Sequence, residues 1–264
     1  LILPEHHFVL RRRLSVRGEF NFFCRGVMTL VATRSFAPTS DRIFYTGMTA
    51  AIALTAFAGF APTYFLKSSF GSPPLTPLVH AHGLAFTSWL LLFFTQTVLI
   101  ANRRIDLHRK LGVLGIAFAA TMIVLGVATA IGSIRTNHTP PGLDPRSFLA
   151  LPFFDILTFA ILVDAGITLR KRPDTHKRLM LLATIAMLDA AIARLPGLFP
   201  LGPIAFFGVQ DLFVLAGPAY DLAARRRIDP AYVWGGLLIL LSQPVRLLIS
   251  QTPLWLAFGD WLRG

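Results

Sequence analysis

Residues 79–112 read VHAHGLAFTSWLLLFFTQTVLIANRRIDLHRKLG, and the fold class follows from them. The stretch opens on His80 and His82, runs through an apolar segment, breaks into a basic turn, and restarts at His108. The apolar segment 77–101 is long enough to cross a bilayer, which takes about 20 apolar residues. The turn at 102–110 is too charged to remain in lipid. A span, a charged turn and the start of another helix predict an all-α, polytopic membrane protein.

Composition agrees. Of 264 residues, 54% are hydrophobic and only 14% charged, with mean hydropathy +0.62. A soluble domain carries about 25% charge. The net charge of +12 comes from 25 Lys and Arg against 13 Asp and Glu. On a soluble protein such an excess would point to nucleic acid. Here the basic residues occupy the turns between apolar blocks, so the partner is the lipid bilayer and not nucleic acid. Cys24 is the single cysteine, which excludes an intrachain disulfide, a cysteine zinc site and covalent c-type haem attachment.

Seven apolar blocks predict a bundle of seven transmembrane helices at about 44–66, 77–101, 111–134, 149–169, 179–195, 203–219 and 231–249. They form a membrane domain over 41–264. Before it, residues 1–40 form a basic tail with Arg11, Arg12, Arg13, Arg17 and Arg25 among short apolar runs. This tail is expected to be disordered or, with native translation starting at Met28, non-native before that residue.

The basic residues also predict orientation. With the N-terminus inside, 19 of the 25 fall before block one or in the inner turns. The other six are Lys67, Arg135, Arg146, Arg194, Arg246 and Arg263. The N-terminus is therefore expected in the cytoplasm and the C-terminus outside.

The inner turns read RRIDLHRKLG, KRPDTHKRLM and RRRIDPAYVW, each with an Asp just before the next helix. Asp106, Asp174 and Asp229 are expected to cap those helices by accepting free amide hydrogens. Pro230 falls at the first helical position, where its missing N–H is harmless.

Two constellations carry candidate chemistry. His108 and His176 open two helices that run in the same direction at the inner face. A helix N-terminus disfavours a protonated imidazole, and the neutral ring ligates metal. The pair would serve as axial ligands of one b-type haem, with Arg109, Lys110, Lys177 and Arg178 near its propionates. The plainer reading makes both histidines interfacial residues of basic turns. A two-haem arrangement would need a second pair on two helices, whereas His80 and His82 share one.

The second constellation is the polar content of the outer half: His80, His82, Asp155, Asp189, Arg194, Gln210, Asp211, Gln243 and Arg246. Charges in a span cost about 3 kcal/mol or more unless paired or wet, so this many at one depth predicts an outward-facing polar pocket. One reading is a structural network in which Arg194 and Arg246 neutralise Asp189 and Asp211. The other is a ligand or metal site built on the histidines and acids. No helical His-x-x-x-His or Glu-x-x-His supports the metal form.

The segments GFAPTYFL, VHAHG, LHRKLG and HKRLMLL, followed by Arg194, together resemble an uncharacterised group of bacterial multi-pass membrane proteins. That group is marked by a His-Arg-x-x-Gly turn, here His108, Arg109 and Gly112, and a later His-x-Arg-x-Met helix start, here His176, Arg178 and Met180. The likeness covers about 41–250, with Leu181 departing from a common Arg. It implies a multi-pass protein of a bacterial inner membrane and brings no reaction with it.

Three functions follow as expectations. The first is binding or transport of a small polar solute at the outer pocket. The second is a redox protein holding one haem b. The third is a metal-dependent membrane enzyme.

Overall fold

A computed structural model of the chain describes residues 39–140 and 142–264. The expectations about the N-terminal tail and its start at Met28 fall on residues outside that range.

Four helices begin with the same two-residue device, a side-chain cap followed by proline. Thr76 accepts from the Val79 amide, Asp144 from Arg146, Asp229 from Ala231 and Thr252 from Trp255. The cap satisfies an amide that has no partner within the helix, and proline at the next position has none to satisfy. Asp229 therefore caps as expected. Asp106 and Asp174 do not: the cap positions are Arg104 and Arg172, neither with a side-chain cap bond, and both acids lie inside the first turn.

The helices are α1 (Thr39–Phe60), α2 (Pro77–Ala101), α3 (Ile105–Arg135), α4 (Ala150–Thr168), α5 (Pro173–Ala186), α6 (Pro203–Arg225), α7 (Pro230–Ile249) and α8 (Pro253–Arg263). A π-helical turn at Ala61–Phe65 extends α1, and short turns at Pro145–Phe148 and Asp189–Ile192 precede α4 and follow α5. Among the described residues there is no strand.

Six helical segments are long and apolar enough to cross a membrane: Thr39–Phe65, Pro77–Ala101, Ile105–Arg135, Pro145–Thr168, Pro203–Arg225 and Pro230–Ile249. Their outer faces carry Leu54, Leu91, Val113, Val124, Leu212 and Leu248, all exposed. A surface this apolar suits lipid, not water.

The fifth block departs from the expected single helix at 179–195. α5 has 14 residues and is interrupted at Met187 and Leu188. It is also the most enclosed element, with Arg178, Leu179 and every residue from Leu181 to Ala186 buried. A helix buried on all sides belongs to the core. Its sheath is α4, α7, α6 and α1. Gly59 of α1 lets the following turn approach closely, since a Cβ there would strike the Ala191 carbonyl. Gly235 of α7 does the same beside α5, where a Cβ would lie 2.8 Å from Leu182 Cδ1.

α8 has no counterpart among the expected blocks, because 11 residues cannot span a bilayer. It is amphipathic and docks through Trp255, Phe258 and Leu262 on Ala130, Ile134 and Leu149. Trp255 Nε1 donates to the Arg146 carbonyl at 2.9 Å, and Arg146 bridges Asp144 at 2.8 Å and Asp260 at 3.1 Å. The Arg146 guanidinium holds the Asp144 carboxyl below its ordinary range.

Candidate functional site

The two largest fully buried side chains among the described residues are arginines, Arg178 and Arg246. Each anchors a polar cluster, and the clusters lie at opposite ends of α7.

At the basic end, Arg178 grips Asp221 of α6 with both arms of its fork, Nε at 2.9 Å and Nη2 at 2.6 Å. It also donates to the Asp174 carbonyl at 2.6 Å and faces the Tyr232 ring at 5.4 Å. The Tyr232 hydroxyl lies 3.1 Å from that of Tyr45. Beside this pair, buried Asp41 of α1 receives Lys177 at 2.7 Å, Arg225 at 2.5 Å and the Tyr220 hydroxyl at 2.6 Å. Ion pairs thus tie α1, α5 and α6 together, and the Tyr232 contacts add α7. The sequence reading did not find Asp41, Asp221, Tyr45 or Tyr232. Asp41 lies 136 positions from Lys177 and 184 from Arg225, so no local spacing signals it. Lys177 and Arg178, expected near haem propionates, are committed to these acids instead.

At the other end, Arg246 Nη1 contacts Asp155 of α4 and lies 3.1 Å from Asp189 Oδ2. Its Nη2 reaches Ser242 Oγ at 2.9 Å, and its guanidinium faces the Phe207 ring at 5.3 Å. Asp155 and Asp189 are both buried. Asp211, expected as a partner of Arg246 alongside Asp189, belongs to a different chain of bonds. Gln243 Nε2 donates to Asp211 at 2.7 Å and to Gln210 Oε1 at 3.1 Å. Gln210 Nε2 in turn reaches the Ile185 and Ala186 carbonyls at 3.0 and 3.3 Å. These carbonyls lie just before the interruption of α5, where the Ile185 carbonyl also accepts the Leu188 amide at 2.9 Å. On its other side, Asp189 Oδ1 takes the Ala190 amide at 2.6 Å. Side chains thus satisfy a buried non-helical backbone, as the membrane interior requires.

The remaining pocket candidates stand apart. Arg194 pairs with no acid among the described residues; it is exposed, donates to the Ala190 carbonyl at 2.6 Å and faces the Phe60 ring at 4.8 Å. His80 is exposed, and its backbone carbonyl accepts from Tyr64 at 3.2 Å. His82 stacks on Phe86 at 4.2 Å. The nine outer residues therefore do not share one cavity. Of the nine, Asp211 and Gln243 share a groove. It measures about 300 Å³, lies between α6 and α7 and is also lined by Phe207, Gly208, Pro244 and Leu247.

His108 and His176 do come together, with ring centroids 6.4 Å apart. Among the described residues, no three His, Cys, Asp or Glu side chains gather around a common point. Comparison of the chain with protein-family models, with curated proteins and with solved structures finds no match.

Proposed function

We propose that the chain is a seven-pass inner-membrane protein, N-terminus inside and C-terminus outside, that binds or transports a small polar solute bearing a cationic group. The interrupted α5 is counted as the seventh span. The site is the outward groove between α6 and α7, with Asp211 as its charged group and Gln243 holding that carboxylate. One observation carries this reading: Asp211 faces the groove and takes a hydrogen bond from Gln243, but no ion pair to it is found among the described residues. A carboxylate in a span costs about 3 kcal/mol or more without compensation. A cationic solute supplies the missing charge. The interrupted α5, bonded through Gln210 and Gln243 to the same carboxylate, resembles the discontinuous helices that transporters place beside their sites. We also group the chain with the uncharacterised bacterial multi-pass proteins that share its two histidine motifs.

The test is a thermal-shift screen of the purified protein with small primary and quaternary ammonium compounds. At least one should raise the melting temperature of the native protein and leave Asp211→Asn unmoved. A panel that shifts neither protein, or both equally, contradicts the assignment.

A further inference from the structure

The basic end holds a second arrangement, separate from both ion clusters. His176 Nδ1 lies 2.7 Å from the Gly166 carbonyl. A carbonyl only accepts, so Nδ1 carries the proton and Nε2 presents its lone pair. This backbone anchor is the usual device for fixing a ligating imidazole. Across from it, His108 has a buried Nδ1 without a hydrogen-bond partner. Gln96 of α2 donates to the His108 carbonyl at 3.2 Å, which fixes its amide orientation and leaves Oε1 buried and also without a partner. Buried polar atoms are nearly always satisfied, so two orphans in adjoining residues call for something to satisfy them.

The ring spacing allows a metal ion. Centroids 6.4 Å apart are near the largest separation at which one ion, with metal–nitrogen bonds of about 2.0–2.1 Å, reaches a nitrogen of each ring. The rings are inclined at 79°, an arrangement that two ligands of one ion can hold. Neutral imidazoles suit zinc, copper and iron. Arg109 and Lys110 are exposed beside the pair.

We propose that His108 and His176 form an imidazole-ligated transition-metal site at the cytoplasmic ends of α3 and α5, with Gln96 held against the His108 backbone. A bare divalent ion and a haem iron share this ligand chemistry, and the experiment separates them. The full chain, purified without metal, is titrated with Co2+ and followed by its visible absorption, then competed with Zn2+. A parallel preparation expressed with adequate haem is scanned for a Soret band. Saturable Co2+ binding displaced by Zn2+, weakened at least tenfold in both His108→Gln and His176→Gln, establishes a bare-ion site. A Soret band lost in the same variants establishes haem. Wild-type protein that takes up neither, or binding unchanged in the double variant, overturns the proposal without depending on the folding of any variant. The Asp211 groove plays no part in this test, so its fate and that of the metal site are read independently.

Discussion

Arg246 of α7 donates through Nη1 to Asp155 of α4, 91 positions earlier, and the same nitrogen lies 3.1 Å from Asp189. One guanidinium thus joins α7, α4 and the turn after α5. Removing it leaves two acids buried without a cation, a loss of about 3–5 kcal/mol. Arg246→Leu should melt far below wild type in detergent. Adding Asp155→Leu should restore part of the loss, and adding Asp211→Leu should not, because Asp211 belongs to the Gln243 chain. Equal recovery from both doubles would refute this division of partners.

Arg178→Lys tests the other buried arginine. Lysine keeps the charge but lacks the fork that holds both oxygens of Asp221. One charge-assisted hydrogen bond is worth about 1.5–3 kcal/mol. Arg178→Lys should therefore be destabilised by about that amount in thermal unfolding, and Arg178→Met by more. A lysine variant indistinguishable from wild type would show that the fork is not needed.

Much of this architecture is legible in the sequence. The uninterrupted run 77–101 coincides with α2, and the blocks at 203–219 and 231–249 start within one residue of α6 and α7. Apolar length and proline starts suffice there. The α5 interruption is not legible, because Met187 and Leu188 are ordinary helix formers. Gln210, supplied by another helix, bonds the two carbonyls just before it. α8 was missed because a search for spans passes over a helix of 11 residues. Arg246 was visible as a buried charge requiring a partner, and Asp189 was named. Asp155 was placed in the same polar region but not paired, since the choice among acids at one depth depends on helix rotation. Arg178 is read from the sequence as a partner for haem propionates, because its acid, Asp221, sits 43 positions away on another helix.

The capped turn before α4 should respond to acid. Arg146 holds the Asp144 carboxyl below its ordinary range, so this contribution is present above the unfolded-state value. It is lost as pH falls through the lower, folded-state value. The stability difference between wild type and Asp144→Asn should be measurable near neutrality and vanish in strong acid. The effect should be small, because the pair is exposed. A difference that grows on acidification would contradict the sign.

Orientation is open to reporter fusions. A reporter active only outside the cytoplasm should work after Gly264 and fail after Arg227. The reverse pattern would invert the bundle and turn the Asp211 groove toward the cytoplasm.

Reaction of native membranes with N,N′-dicyclohexylcarbodiimide, which modifies carboxyl groups it can reach from lipid, tests the central claim most directly. Asp211 borders an open groove, whereas Asp155 and Asp189 are buried under Arg246. Peptide mapping should find the adduct on Asp211, absent in Asp211→Asn, with Asp155 and Asp189 unmodified. An ammonium compound that stabilises the protein should slow the labelling. Labelling of Asp155 or Asp189 with Asp211 untouched would contradict the groove and the solute site built on it.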